Sequence, residues 1–174
     1  TGQTLSEGRA WRMETALRPV LRDHGLADID ALTARLLRKA DVMLEKAVVE
    51  ALLNNESSFF RDLQLFDMLQ TQILPHLHET RANRVLRIWS AGCSTGQEAY
   101  SLAIQLRNGW SRWNGWQIEI LATDISGRAI EQATSGIYSQ MDVQRGLAIG
   151  DLVKSRFDEV EREAEDLRSY IQTA

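Results

Sequence analysis

The sequence is poor in cysteine and proline and has no long apolar run. Its single cysteine, Cys93, cannot form a disulfide within the chain, and we interpret it as a small residue packed at a turn. No group of cysteines and histidines has the spacing of a zinc site. No stretch approaches the roughly 20 apolar residues that a membrane-spanning helix needs. We therefore expect a cytoplasmic protein that binds no metal and does not insert into the membrane.

The sequence also has no excess of positive charge. It contains 20 Lys and Arg against 24 Asp and Glu, which gives a formal net charge of -4. This balance gives no general attraction for a phosphate backbone, so we expect no nucleic-acid partner. The 174 residues, of which 44% are hydrophobic, suffice for one domain or for one domain with a small appendage.

The first third of the chain has a helical pattern. Apolar residues recur every three to four positions over residues 13–53, and Gly25, Asp28 and Asp30 interrupt them. Basic and acidic side chains are interleaved along the same residues. This mixture is typical of solvated helix faces, and the alternative is a basic face that docks an acidic helix of a partner.

The middle of the chain predicts a parallel strand–helix–strand unit. We expect a strand over 86–91, a turn over 92–96, a helix over 97–108 and a second strand over 118–124. A helical crossover between two strands of one sheet makes them parallel. The sequence therefore predicts an α/β sheet in this region.

Two further helices flank this unit. The first is predicted over 61–79, where Pro75 marks a bend or break. The second is predicted over 127–135, with Ser126 as its N-cap and Gly136 as its end.

The turn over 92–96 and Asp124 form the candidate site. Glycine at a strand-to-helix turn lets the backbone approach a ligand closely and leaves the first amides of the helix facing it. Asp124 ends the neighbouring parallel strand, so we expect its carboxylate beside this turn. Its two oxygens can accept hydrogen bonds from both hydroxyls of a ribose. The arrangement predicts a cofactor that contains a nucleoside.

Two phosphate-binding alternatives fit less well. A P-loop requires Gly-Lys-Ser/Thr, whereas Gly96 is followed by Gln97 and Glu98. A dinucleotide site prefers G-x-G-x-x-G over the G-x-x-x-G spacing found here, and Glu98 places a negative charge near where a pyrophosphate would lie. A ligand without phosphates, with a zwitterionic amino-acid end and a sulfonium, tolerates this carboxylate. Taken alone, the glycine spacing is equally typical of a structural tight turn.

Four segments together resemble the CheR family of chemotaxis-receptor glutamate methyltransferases. IWSAGCSTGQEAYS (88–101) resembles the first cofactor motif of the family, and ATDI (122–125) resembles the second. NNESSFFRD (54–62) is similar to its T-N-x-T-x-F-F-R-D/E segment, and ATSGIY (133–138) resembles its A-x-x-G-x-Y stretch. The resemblance runs over 51–157.

The resemblance implies an α/β fold: a partial Rossmann-like class I methyltransferase sheet preceded by a small all-helical N-terminal domain. Residues 1–53 would form that helical domain, a candidate for receptor docking. Residues 54–84 would be a linker with a pocket-lining helix, and 85–174 an incomplete S-adenosylmethionine-binding domain. The tail, 151–172, is acidic and helix-favouring.

The chain is short for this class. Only two strands are convincing where the family implies seven, and the later motifs of the family are missing, so we expect a truncated chain. One alternative is a dimer in which a second copy completes the fold by exchange of elements. The other is a divergent protein that binds the cofactor without catalysis.

The implied activity is transfer of a methyl group from S-adenosylmethionine to glutamate side chains on the cytoplasmic helices of methyl-accepting chemoreceptors. S-adenosylhomocysteine is the product. A free glutamate has a pKa near 4.3 and is already ionised at neutral pH, so the reaction needs no general base. The alternative is a non-catalytic module, derived from this family, that binds the cofactor or acts as a signalling adaptor.

The resemblance implies a set of cofactor-binding residues: Asn55, Ser57, Arg61, Gly92, Ser94, Glu98 and Asp124. The first three would line the pocket near the methionine end, and the last would hold the ribose. Arg61 is also the candidate catalytic residue, because its guanidinium could orient the incoming carboxylate. The alternative for Arg61 is a structural ion pair with Asp62, Glu98 or another acid.

Two groups of side chains receive no role in the chemistry. His76 and His78 are two positions apart and point to different faces of a helix, so we expect no metal there. Trp110, Trp113 and Trp116 lie in a predicted loop. We expect this loop to fold back onto the core, with partner binding as the alternative.

Overall fold

The computed structural model describes residues 10–38, 41–109, 111–147 and 171–173. The chain divides into two compact units, Thr1–Asn54 and Asn55–Ala174. Among the described residues, no helix combines the length and the apolar character that crossing a membrane requires. The same part of the chain contains no cluster of three or more His, Cys, Asp or Glu side chains able to hold a metal ion.

Over its described residues, 10–38 and 41–54, the first unit contains three helices: α1 (Ala10–Asp23), α2 (Ile29–Leu37) and α3 (Val42–Leu52). Their inward faces bury a small core made of Leu17, Val20, Leu32 and Leu44. The predicted interruption near Gly25 separates α1 from α2, and Asp28 caps α2 by accepting the Ala31 N–H at 2.8 Å.

The break between α2 and α3 was not predicted, because the apolar spacing continues through it. Asp41 is the N-cap of α3, and its carboxylate accepts the Leu44 N–H at 3.0 Å, so a new helix starts there. Arg35 also donates to this carboxylate at 2.6 Å. The backbone contact, with a smaller contribution from Arg35, lowers the pKa of Asp41.

The predicted helix over 61–79 is interrupted in its middle. It consists of α4 (Leu63–Met68), a π-helical turn (Leu69–Ile73) and α5 (Leu74–Thr80). Pro75 has no N–H, and its ring would collide with the carbonyl four residues earlier in a regular α-helix. The wider π turn directly before Pro75 provides room for the ring. The predicted bend or break at Pro75 thus corresponds to an interruption of the α-helix by this π turn.

Strand β1 (Val85–Ala91), helix α6 (Gln97–Asn108) and strand β2 (Gln117–Thr123) form the predicted parallel unit. The two strands pair in register from Val85↔Gln117 to Ala91↔Thr123. The sheet order is β1-β2-β3, and all its pairings are parallel.

The third strand, β3 (Ile171–Thr173), was not predicted and corrects the sequence analysis. It pairs with β2 from Ile120↔Ile171 to Ala122↔Thr173, whereas the pattern favoured a helix through residue 172. A three-residue strand is too short to show a period of two. The remainder of the predicted acidic helix, residues 151–170, lies outside the described residues.

Helix α6 packs on one face of the sheet. The core there contains residues from β1, α6 and β2: Leu86, Ala99, Leu102, Ala103, Leu106, Ile120 and Ala122. Trp113 is buried in the same core, and the His78 ring is stacked on Trp116 with centroids 5.2 Å apart. The tryptophan loop therefore folds back onto the core, as predicted, although Trp110 lies outside the described residues.

In the described stretch after β2, up to residue 147, the chain forms α7 (Gly127–Ser135) and α8 (Gln140–Leu147). Ser126 caps α7 by accepting the Ala129 N–H at 3.0 Å, and Gly136 ends the helix in a left-handed conformation. Both signals were predicted. Helix α8 was not; it has only eight residues, and one of them is Gly146, which weakens a helical pattern.

Candidate cofactor-binding site

The site begins where β1 and β2 end at the same edge of the sheet. The Gly92 and Cys93 N–H groups both donate to the Thr123 carbonyl, at 2.8 and 2.9 Å. One residue further along each segment, the Ser94 N–H donates to Asp124 Oδ2 at 2.7 Å. The glycine turn and Asp124 are therefore in direct contact, as the parallel register predicts.

Backbone donors hold the carboxylate of Asp124. Its Oδ1 accepts the Ser126 N–H at 2.8 Å, while Oδ2 accepts from Ser94. Each carboxylate oxygen can accept about two hydrogen bonds. The group is thus fixed in orientation and keeps the capacity to accept from a ligand.

Four residues from three segments close a ring of hydrogen bonds around this carboxylate. Ser94 Oγ donates to the Asn55 carbonyl at 2.6 Å, and Asn55 Nδ2 donates to Ser126 Oγ at 3.2 Å. The backbone contacts of Asp124 with Ser94 and Ser126 complete the ring. Ser126 is fully buried. The ring connects the segment before α4, the glycine turn and the end of β2.

A cavity of about 590 Å³ opens beside the glycine turn. This volume falls in the usual range of small-molecule sites. Its lining includes five of the predicted residues: Ser57, Arg61, Gly92, Ser94 and Glu98. Asn55 and Asp124 lie outside this lining, and both adjoin it through their contacts with Ser94.

Arg61 and Glu98 bring opposite charges to the cavity. Arg61 is exposed, and its Nη1 donates to the backbone carbonyl of Glu56 at 2.8 Å. The two acids considered as ion-pair partners of Arg61 have other contacts. Glu98 Oε1 accepts from Ser90 Oγ at 2.6 Å. Asp62 caps α4 by accepting the Leu65 N–H at 3.1 Å. A cation and an anion in one cavity complement a zwitterionic amino-acid end, so these side chains fit the methionine part of S-adenosylmethionine.

Cys93 is a buried thiol in the cavity wall, with 1% of its surface exposed. Burial, reinforced by the negative charge of Asp124, raises the pKa of Cys93 from 9.0 to about 11. A thiol with this pKa carries almost no thiolate at neutral pH. The residue is packed at the turn and is unsuited to act as a nucleophile.

The two glycines of the turn serve different purposes. Both have left-handed backbones, with φ of 77° at Gly92 and 95° at Gly96. An added Cβ at Gly92 would meet open space, whereas one at Gly96 would lie 2.8 Å from Tyr138 Oη and 2.9 Å from Ala133 Cβ. The missing side chain of Gly96 therefore makes room for protein atoms of Tyr138 and Ala133.

Sequence reasoning missed three residues that support the site. Ser126 was predicted only as a helix cap, and Ser90 and Tyr138 were given no role. The period of two in β1 places Ser90 on the same face as the apolar Leu86 and Ile88, a sequence signal that could have identified it. The Tyr138 hydroxyl donates to the Thr95 carbonyl at 2.7 Å, across 43 residues of chain, and no local pattern predicts this contact.

A glycine turn after one parallel strand, with an acid after the next, defines the class: an α/β domain that binds a nucleoside-containing cofactor. Residues 55–172 match the family described as CheR methyltransferase, SAM binding domain. The match covers more than half of the chain, which therefore belongs to the CheR methyltransferase family.

The chain is also similar to several curated proteins. It is 30% identical over 151 residues to chemotaxis protein methyltransferase Cher2 of Pseudomonas putida and 32% identical over 151 residues to chemotaxis protein methyltransferase 1 of Pseudomonas aeruginosa. It is 33% identical over 150 residues to a chemotaxis protein methyltransferase of Vibrio parahaemolyticus. Each alignment covers 84% of this chain and 54% of the relative. The chain thus spans about half the length of the curated relatives it matches.

Proposed function

We propose that this chain is the cofactor-binding part of an S-adenosylmethionine-dependent methyltransferase that methylates glutamate side chains of chemoreceptors. The observation that carries the proposal is the Ser94–Asp124 contact at the rim of a cavity that also contains Arg61 and Glu98. The family match and the names of the relatives support the same activity.

Different residues around the cavity would contact different parts of the cofactor. Asp124 would accept hydrogen bonds from the ribose hydroxyls, and Glu98 would hold the ammonium group. Ser57 and Asn55 would lie along the methionine end. When bound, S-adenosylmethionine supplies a methyl group activated by a sulfonium. The open space at Gly92 leaves room for a ligand against the backbone of the turn.

The acceptor carboxylate requires orientation more than activation. It is ionised at neutral pH, so the protein must guide it towards the methyl group and exclude water. Arg61 is exposed at the cavity, where its guanidinium would bind the carboxylate. Leu63 and Leu65 line the cavity beside it and would provide apolar surface to cover the bound reactants.

We propose the same domain division as the sequence predicts: 1–53 for docking, 54–84 for the linker and pocket-lining helix, and 85–174 for the S-adenosylmethionine-binding domain. The order β1-β2-β3 with Asp124 after β2 supports assignment to a partial class I methyltransferase sheet.

We propose that the first unit docks the chemoreceptor helices, and Trp11, Leu37 and Met43 are exposed on it. Acceptors on cytoplasmic helices would place the enzyme in the cytoplasm. A dimer formed by exchange of elements remains a prediction.

Transfer of a radiolabelled methyl group from S-adenosylmethionine to purified chemoreceptor tests the activity. Arg61→Ala should lower kcat/KM by about 10- to 100-fold, the effect of losing one charge-assisted hydrogen bond. Arg87→Ala is the matched control, because Arg87 forms a surface ion pair with Glu119 at 2.8 Å and should change the rate little. An unchanged rate in Arg61→Ala, with normal cofactor affinity, would reject the role of Arg61. Absence of label on receptor with the unmodified protein would reject the activity.

A further inference from the structure

Tyr138 connects the two segments that line the cavity. One is the segment 56–66, which contains Ser57 and Arg61, and the other is the segment 92–98, which comprises the glycine turn and the first two residues of α6. The Tyr138 hydroxyl donates to the Thr95 carbonyl in the turn at 2.7 Å. Its ring meets the Phe59 ring edge-to-face, with centroids 4.9 Å apart. One side chain thus contacts both segments.

The surroundings of Tyr138 hold it in this position. A second edge-to-face contact joins it to Tyr100, with centroids 5.6 Å apart. The missing side chain of Gly96 leaves room for the Tyr138 hydroxyl, since a Cβ there would lie 2.8 Å from it. Burial raises the pKa of Tyr138 well above its usual value, so the hydroxyl stays protonated and remains a donor at physiological pH.

The Thr95 carbonyl adjoins the groups that contact the ligand site. Ser94, the preceding residue, donates its N–H to Asp124 and its hydroxyl to the Asn55 carbonyl. A shift of the Thr95 carbonyl would therefore be passed along the backbone to Ser94, one residue earlier, and through its N–H to Asp124. On the opposite segment, Phe59 lies two residues before Arg61.

We propose that Tyr138 is a positioning residue for the cofactor pocket, fixing the glycine turn through Thr95 and the opposite segment through Phe59. It shapes the cavity before the cofactor enters, so binding does not have to order these segments. Its expected effect on cofactor affinity rests on the proposed function, whereas its effect on the turn does not.

The first experiment measures the turn in the ligand-free protein. Hydrogen–deuterium exchange should be about fivefold faster over residues 92–98 in Tyr138→Phe, because one ordinary hydrogen bond is lost while the ring is kept. Tyr100→Phe is the matched control: it too keeps the ring and removes a hydroxyl, and that hydroxyl donates to the Ala133 carbonyl of α7 at 3.0 Å. Exchange over 92–98 that is equal in the two variants would overturn the proposal.

The second experiment measures binding and turnover. Calorimetry with S-adenosylhomocysteine should give a Kd about fivefold higher in Tyr138→Phe and within about twofold of the unmodified protein in Tyr100→Phe. In methyl transfer the KM for S-adenosylmethionine should rise while kcat stays within about twofold, since the hydroxyl does not touch the reacting atoms. A lowered Tm with an unchanged Kd would show a merely structural role and overturn the proposal.

A third variant, with Tyr138 itself unchanged, tests the contact with the opposite segment independently. Phe59→Leu removes the ring contact from the opposite segment and should also raise the Kd for S-adenosylhomocysteine, and an unchanged Kd would count against the proposal. If the unmodified protein binds no S-adenosylhomocysteine, the proposed function fails. The exchange rates over residues 92–98 then still decide the role of Tyr138.

Discussion

At the scale of single residues, Cys93 shows how the fold controls reactivity. It lines the cavity, yet it is 1% exposed and its pKa is raised to about 11. Because folding raises this pKa, ionisation favours the unfolded state, and the folded protein loses stability as the pH rises above the ordinary thiol value of 9.0.

We therefore predict that Cys93 resists alkylation in the folded protein. At pH 8 the folded thiol holds about a hundredfold less thiolate than the unfolded one, and burial slows the reaction further. Iodoacetamide labelling followed by mass spectrometry should be at least about a hundredfold slower in buffer than in concentrated urea. Labelling within about threefold of the unfolded rate would show that the thiol is accessible and ionised.

The sequence predicts some site residues better than others, for a physical reason. The meeting of Asp124 with the turn follows from one rule, that parallel strands end at the same edge. Ser126, which accepts from Asn55 across 71 residues, depends on how distant segments pack. Residues that hold the site residues in place through contacts between distant segments leave no local sequence pattern, so their roles appear only in the structure.

At the scale of elements, the glycine turn is shaped by the helix that packs behind it. Gly96 has φ of 95°, and a Cβ there would crowd Ala133 of α7 as well as Tyr138. Gly92 has a similar backbone and open space around it. Placing alanine at each of the two positions therefore separates two contributions to the free energy of unfolding: the left-handed backbone and the steric overlap.

Gly96→Ala should lower the free energy of unfolding by about 2–4 kcal/mol, combining the conformational cost of a left-handed alanine with overpacking against α7. Gly92→Ala should cost only about 1–2 kcal/mol, the conformational part. Urea denaturation of both variants measures the difference. Equal losses would show that the turn does not pack closely against α7.

The prediction of elements succeeded where local signals were strong. Helix α6 has the predicted bounds, because the glycine turn starts it and Gly109 follows its last residue. The break at Asp41, the π turn before Pro75 and strand β3 were missed. Each of these depends on a capping contact, a local clash or a pairing that hydrophobic spacing does not encode.

At the scale of the molecule, the second unit brings its candidate site residues together from three stretches of sequence. Arg61 precedes α4, the glycine turn follows β1, and Asp124 follows β2. The first two stretches line the 590 Å³ cavity, and the ring of hydrogen bonds connects the residue after β2 to both of them. Cofactor binding is consequently a property of the folded unit as a whole, and no isolated motif provides it.

The most direct test of this conclusion is calorimetry with S-adenosylhomocysteine. The unmodified protein should bind it, and Asp124→Asn should raise the Kd by about 10- to 100-fold, because a charged acceptor for the ribose is lost. Asp142→Asn is the matched control: this carboxylate accepts from Ser139 at 2.6 Å, outside the cavity lining, and the Kd should stay within about twofold. Equal affinity in Asp124→Asn and the unmodified protein, or no binding by the latter, would contradict the assignment of this site.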